Sequence, residues 1–178
     1  MAIHPYPASL VSTWSAPDGS SVVIRPIRPE DAEIEREFVT SLSPAAKYMR
    51  FMSTLKELTP EMLARFTQID YDREMALVAV TVEGARERQI GVCRYIVDAD
   101  GASCEFAVVV AEAWQRRGLG RHLMERLIEI ARARGLKRMN GQILSANPEM
   151  LDLVTKLGFT LAGVPSAPEV REATLVLS

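Results

Sequence analysis

Gln115-Arg116-Arg117-Gly118-Leu119-Gly120 stands between the apolar run Phe106-Ala107-Val108-Val109-Val110 and the most strongly patterned helical segment of the chain, residues 118–134. In that segment Leu119, Leu123, Leu127 and Ala131, with Met124 and Ile130, recur at helical spacing, while Arg121, Glu125, Arg126, Glu129 and Arg132 cover the other face and Gly135 supplies a stop. The order strand, glycine loop, helix has a chemical meaning. Glycines let the backbone approach a ligand closely, and the outward N–H groups join the positive end of the helix to form a site for a phosphate or pyrophosphate. Arg116, Arg117 and Arg121 add positive charge at the same place. Two familiar nucleotide motifs fail here. A P-loop needs Gly-Lys-Ser/Thr, where this chain has Gly120-Arg121-His122, and a dinucleotide fingerprint needs a glycine where Leu123 stands.

Working outward, residues 102–110 read as a strand that follows the hairpin turn Asp98-Ala99-Asp100-Gly101 and a strand over 89–97. A further strand over 74–83 carries Met75-Ala76-Leu77-Val78-Ala79-Val80. Toward the N-terminus, residues 22–27 form a strand closed by Pro26 and Pro29, and Pro29-Glu30-Asp31 opens a helix to about residue 41. Ser43-Pro44 starts a second helix through Phe51, and Thr59-Pro60-Glu61 a third with Met62, Leu63 and Phe66 on its apolar face. Residues 1–20, with Pro5, Pro7, Pro17 and Asp18-Gly19, read as an irregular leader holding a short strand at 10–14. Toward the C-terminus, residues 137–144 are a strand, Asn147-Pro148-Glu149 caps a last helix that closes at Leu157-Gly158, and strands follow at 159–164 and 171–177. The sum is one α/β domain over 21–178, a mixed sheet with helices on its faces.

Composition narrows the function. The 178 residues are 48% hydrophobic and 25% charged, enough for a core without a metal or disulfide staple. A net charge of -2 argues against a nucleic-acid partner, whose affinity rests on concentrated positive charge. Cys93 and Cys104 sit in apolar strand-like runs as buried thiols, and His4 and His122 are scattered, so no metal site is expected. No basic residue precedes Arg25 and no apolar run approaches the ~20 residues of a membrane span; the expectation is a cytoplasmic protein without a signal peptide.

Gln-x-x-Gly-x-Gly between a strand and a long helix resembles the acetyl-CoA pyrophosphate loop of the GNAT N-acetyltransferase superfamily. Downstream, Asn147-Pro148-Glu149-Met150 and Lys156-Leu157-Gly158-Phe159 are similar to the segment that lies beside the cofactor's pantetheine arm there. Arg25-Pro26-Ile27-Arg28-Pro29-Glu30-Asp31, Asp70-Tyr71-Asp72-Arg73-Glu74-Met75-Ala76-Leu77 and Glu105-Phe106-Ala107-Val108 narrow the likeness to the acetyltransferase domain of bacterial protein-lysine acetyltransferases that modify acyl-CoA synthetases, here as a stand-alone version.

The resemblance implies a splayed central sheet flanked by helices, acetyl-CoA as co-substrate and an amine acceptor, a protein lysine such as one on an acyl-CoA synthetase. It assigns pyrophosphate binding to Gln115, Arg116, Arg117, Gly118, Leu119, Gly120 and Arg121, chiefly through backbone N–H groups. Val108, Val109 and Val110 would pair their backbone with the pantetheine amides and polarise the acetyl carbonyl. Asn147 either bonds the cofactor arm or caps its helix, or both. Glu105 is the candidate general base, because an amine with a solution pKa near ~10.4 must lose a proton before attacking a thioester; a solvent-facing strand glutamate is the plain alternative. Many family members carry a tyrosine four residues before the Gly-Phe pair, where it protonates the leaving thiolate; here that residue is Val154. The Asp70–Glu74 charges read equally as an acceptor site or a solvated strand entrance. Cys104, of opposite strand parity to Glu105, is not expected to act as a nucleophile. Direct transfer to a protein lysine, the same chemistry on a small amine, and a silent acyl-CoA-binding module all stay open, as does the oligomeric state.

Overall fold

The computed structural model describes residues 4–51 and 58–178; the first three residues of the N-terminal leader lie outside them. The strands and helices run in the order β1 (Ser12–Ser15), β2 (Ser21–Pro26), α1 (Ala32–Ser41), α2 (Pro44–Phe51), α3 (Pro60–Thr67), β3 (Glu74–Glu83), β4 (Arg86–Val97), β5 (Ser103–Val110), α4 (Leu119–Ala133), β6 (Arg138–Leu144), α5 (Pro148–Lys156), β7 (Thr160–Val164) and β8 (Ala167–Val176). The local signals operate as their chemistry dictates. Thr59 accepts the Met62 N–H at the start of α3, and Asn147 accepts the Met150 N–H at the start of α5, each followed by a proline in the first turn. Within the leader, Ser12–Ser15 pairs with β2 as an edge strand, starting two residues and ending one residue later than the expected 10–14.

All eight strands form one sheet in the order β1-β2-β3-β4-β5-β6-β8-β7. Every neighbouring pair is antiparallel except β5 and β6, which the α4 crossover makes parallel. The two C-terminal strands pair with each other as a hairpin, and β8 inserts between β6 and β7, its register with β6 running from Arg138↔Val176 to Leu144↔Val170.

Strand alternation divides the apolar side chains between two cores. Met75, Leu77 and Ala79 face the layer holding Leu119, Leu123 and Leu127 of α4, whereas Ala76, Val78 and Val80 face Phe38, Val39 and Leu42 beside α1 and α3. Leu123 and Leu127 are fully buried, so each contributes roughly 1.5–3 kcal/mol of apolar burial toward pinning α4 to the sheet.

One irregularity matters most. β5 and β6 pair only from Ser103↔Arg138 to Glu105↔Asn140. Beyond Glu105 the strands part, although β5 continues to Val110 and β6 to Leu144. On its other side β5 stays paired to β4 through Val110. One edge of residues 106–110 is therefore free, and the sheet is split down its middle.

Candidate active site

The split opens into a groove of about 1210 Å³, whose walls come from β5, the loop before α4, the start of α5 and the inner face of α2. Glu105, Val108, Val109, Val110, Gln115, Arg116, Gly118, Gly120, Arg121 and Asn147, separated in sequence by up to forty-odd positions, all line it.

The loop at its mouth is tightly determined. Gly118 has φ +90, a left-handed conformation that a side chain resists, and Arg116 takes φ 62. The Gln115 side chain closes the loop onto the end of β5 by donating from Nε2 to the Val110 carbonyl at 3.0 Å. Arg116 is tied at 2.7 Å to Glu149 in the first turn of α5, and Arg121 at 2.9 Å to Glu125. The first turn of α4 leaves its N–H groups without intrahelical acceptors and directs them, with the positive end of the helix, at the mouth. A helix start with this geometry can accept an anion of phosphate type.

Two residues of the loop do not enter the groove. Arg117 turns outward, 3.2 Å from Asp18 and with its guanidinium 4.8 Å from the centre of the Trp114 ring, so its charge serves the β1–β2 side of the loop. The Leu119 side chain is 1% exposed in the α4 core, which leaves only its backbone for a ligand. Its place in the apolar stripe already carried that signal.

Glu105 sits where β5 and β6 part, paired across to Ile96 and Asn140. Its side chain is exposed to the groove, and no hydrogen bond or ion pair among the described residues occupies its carboxylate. Cys104 lies on the opposite face, fully buried, and burial pushes its thiol up to about 12; it has neither access nor charge for nucleophilic work. Asn147 lines the groove and also caps α5, its Oδ1 accepting the Met150 N–H at 3.3 Å. Val154 is wholly buried in the core beneath α5, and among the described residues no tyrosine lines the groove.

The opposite wall was missed by reasoning from sequence. Ala45, Ala46, Met49 and Arg50 of α2 face the groove because α2 packs over β5, a contact that the helical pattern of α2 does not reveal. The half-buried Arg50 guanidinium is pushed down to about 10, by burial first and then by the nearby Arg94 charge, with Glu35 and Glu105 acting in the opposite direction. The Asp70 cluster does not join this site. Asp70 Oδ1 instead accepts the N–H groups of Asp72, Arg73 and Glu74 and shapes the turn into β3. No group of three or more His, Cys, Asp or Glu side chains fit to hold a metal ion occurs among the described residues.

Residues 43–159 match the family model described as "Acetyltransferase (GNAT) family". The chain is 41% identical over 145 residues to an acetyltransferase of Pseudomonas aeruginosa, a match covering 82% of this chain and 78% of that one. It is 31% identical over 141 residues to the acetyltransferase Pat of Mycolicibacterium smegmatis, covering 79% of this chain and 41% of that longer protein. Among solved structures, the GNAT domain of S. lividans PAT superposes with a TM-score of 0.86 at 28% identity, covering 97% of this chain and 99% of that one.

Proposed function

The chain belongs to the GNAT acetyltransferase family, and from that premise we propose that its groove moves an acetyl group from acetyl-CoA to the primary amine of a protein lysine. One observation carries the reading: the split places a free strand edge, an anion-binding loop and a carboxylate without an ion pair among the described residues along a single groove. The loop before α4 takes the pyrophosphate through backbone N–H groups, helped by Arg116 and Arg121. The free edge of residues 106–110 pairs with the amides of the pantetheine arm, and its N–H groups stabilise negative charge on the attacked carbonyl oxygen.

Glu105 accepts the proton that the ammonium must lose, directly or through a water. The amine then attacks in the ternary complex, with no covalent enzyme intermediate. The CoA thiolate, of pKa near ~8.5, leaves without a proton donor at neutral pH, which accommodates Val154. A protein acceptor is favoured by the resemblance of residues 25–31, 70–77 and 105–108 to the acetyltransferase domain of protein-lysine acetyltransferases.

The test is CoA release from acetyl-CoA against purified acyl-CoA synthetases, lysine peptides, amino acids, polyamines and aminoglycosides. Turnover on a protein lysine that falls roughly 100-fold or more in Glu105→Gln is the expected result. Turnover confined to small amines would overturn the lysine assignment, and undiminished turnover by Glu105→Gln would overturn the base.

A further inference from the structure

An aromatic ring lies in the floor of the split, where β5 and β6 part. Had β5 and β6 continued to pair, the position after Glu105↔Asn140 would have been Phe106↔Gly141. The Phe106 ring instead leans across β6 and fills the space where a side chain at Gly141 would stand. A Cβ built there would lie 2.6 Å from Cζ and 2.7 Å from Cδ1 of that ring, far inside van der Waals contact. Behind it the ring packs on Phe159 with centroids 5.2 Å apart, and Phe106 is only 7% exposed, yet it still lines the groove.

We infer that Phe106, seated over Gly141, sets the length of the acyl group the enzyme takes; this rests on the acyl-CoA reading of the groove. The anion loop follows Val110 at the open end of β5, and Glu105 marks the closed end, about 16 Å away at 3.3 Å per residue. A donor anchored at the loop and extended along the free edge delivers its thioester carbon to the closed end. Beyond that carbon there are two directions. One leads to the face of Glu105, Ala107 and α2, from which the amine must approach. The other leads into the Phe106 ring. A two-carbon acyl group stops short of both obstacles, whereas a longer one collides with the ring or blocks the acceptor. Gly141 belongs to the device because any side chain there would displace the ring.

The test compares acetyl-, butanoyl- and hexanoyl-CoA, by calorimetric affinity and by turnover on the best acceptor, for the natural protein, Phe106→Ala and Phe106→Leu. One added methylene against a fitted apolar wall changes kcat/KM roughly 10–200-fold, so the natural protein is expected to favour acetyl-CoA over butanoyl-CoA at least tenfold. Phe106→Ala should shrink that ratio at least tenfold, with Phe106→Leu between. A natural protein that takes hexanoyl-CoA as well as acetyl-CoA overturns the inference even where the variants fold poorly. So does a well-folded Phe106→Ala with an unchanged profile. Failure of CoA itself to bind would instead overturn the reading of the groove on which the inference stands.

Discussion

Arg25 and Asp31 show what a short charged motif near an N-terminus can do once folded. The guanidinium meets both carboxylate oxygens at 2.7 and 2.8 Å inside the protein, and Asp31 also accepts the Arg28 N–H at 3.0 Å. Breaking such a pair leaves a buried charge without compensation, so Asp31→Ala should lower unfolding free energy by about 3–5 kcal/mol in urea titrations. Arg25→Lys should fall between, because an ammonium keeps the charge but cannot fork onto two oxygens. A loss below 1 kcal/mol for Asp31→Ala would show that Glu87, 3.2 Å from Arg25, suffices by itself. The thiols give a prediction of the opposite kind. Burial raises both Cys93 and Cys104 to about 12, so between pH 7 and 9 each stays protonated and shielded. Iodoacetamide should therefore label neither in the folded protein and both after unfolding. Fast labelling with loss of acetyl transfer would reopen the question of a cysteine nucleophile.

Between α1 and β4 lies a polar contact that the reaction does not use. Glu35 is 3% exposed and accepts from Gln89 Nε2 at 2.7 Å, while Gln89 Oε1 is buried without a partner among the described residues. Burial is the main cause that raises the Glu35 carboxyl above its ordinary value of 4.5, against the pull of Arg94 and Gln89. The folded state then holds this proton to higher pH than the unfolded chain does, so its contribution is intact below the unfolded value and is lost as pH rises past it toward the folded one. Glu35→Gln should remove that loss and be more stable than the natural protein at pH 7, with the difference vanishing near pH 4; equal melting temperatures across that range would refute it. At this scale the sequence was highly informative. The caps at Thr59 and Asn147, the stop at Gly135 and the period of Leu119, Leu123 and Leu127 are local features, and they bounded their helices within a residue or two. What α2 contributes to the groove was not readable, because Met49 and Arg50 face it only through packing over a strand more than fifty residues later. Nor does any local pattern say that β8, rather than β7, pairs with β6.

Across the whole molecule, the sheet is two half-sheets joined by a short parallel seam from Ser103↔Arg138 to Glu105↔Asn140. That seam was readable only through likeness to a family, since its partners are separated by α4 and its end is set by Phe106 lying over Gly141. The arrangement makes the ligand a structural tie. A donor bound along the split would pair with the free edge of 106–110 on one half and touch Gln142, Ile143 and Asn147 on the other. Ligand that binds only the folded state adds about 2.7 kcal/mol at a hundredfold excess over Kd. For a chain of this length that corresponds to a rise in Tm of roughly 5–10 °C. The same tie predicts where protection appears. Alternate N–H groups of residues 106–110 face the split without a strand partner, so CoA should slow their hydrogen exchange by tenfold or more and reach 141–144 across the gap. Residues 77–80, paired on both sides between β2 and β4, should change far less. Protection confined to the loop before α4 would mean that only the phosphate end is held and that the two halves move independently of the donor.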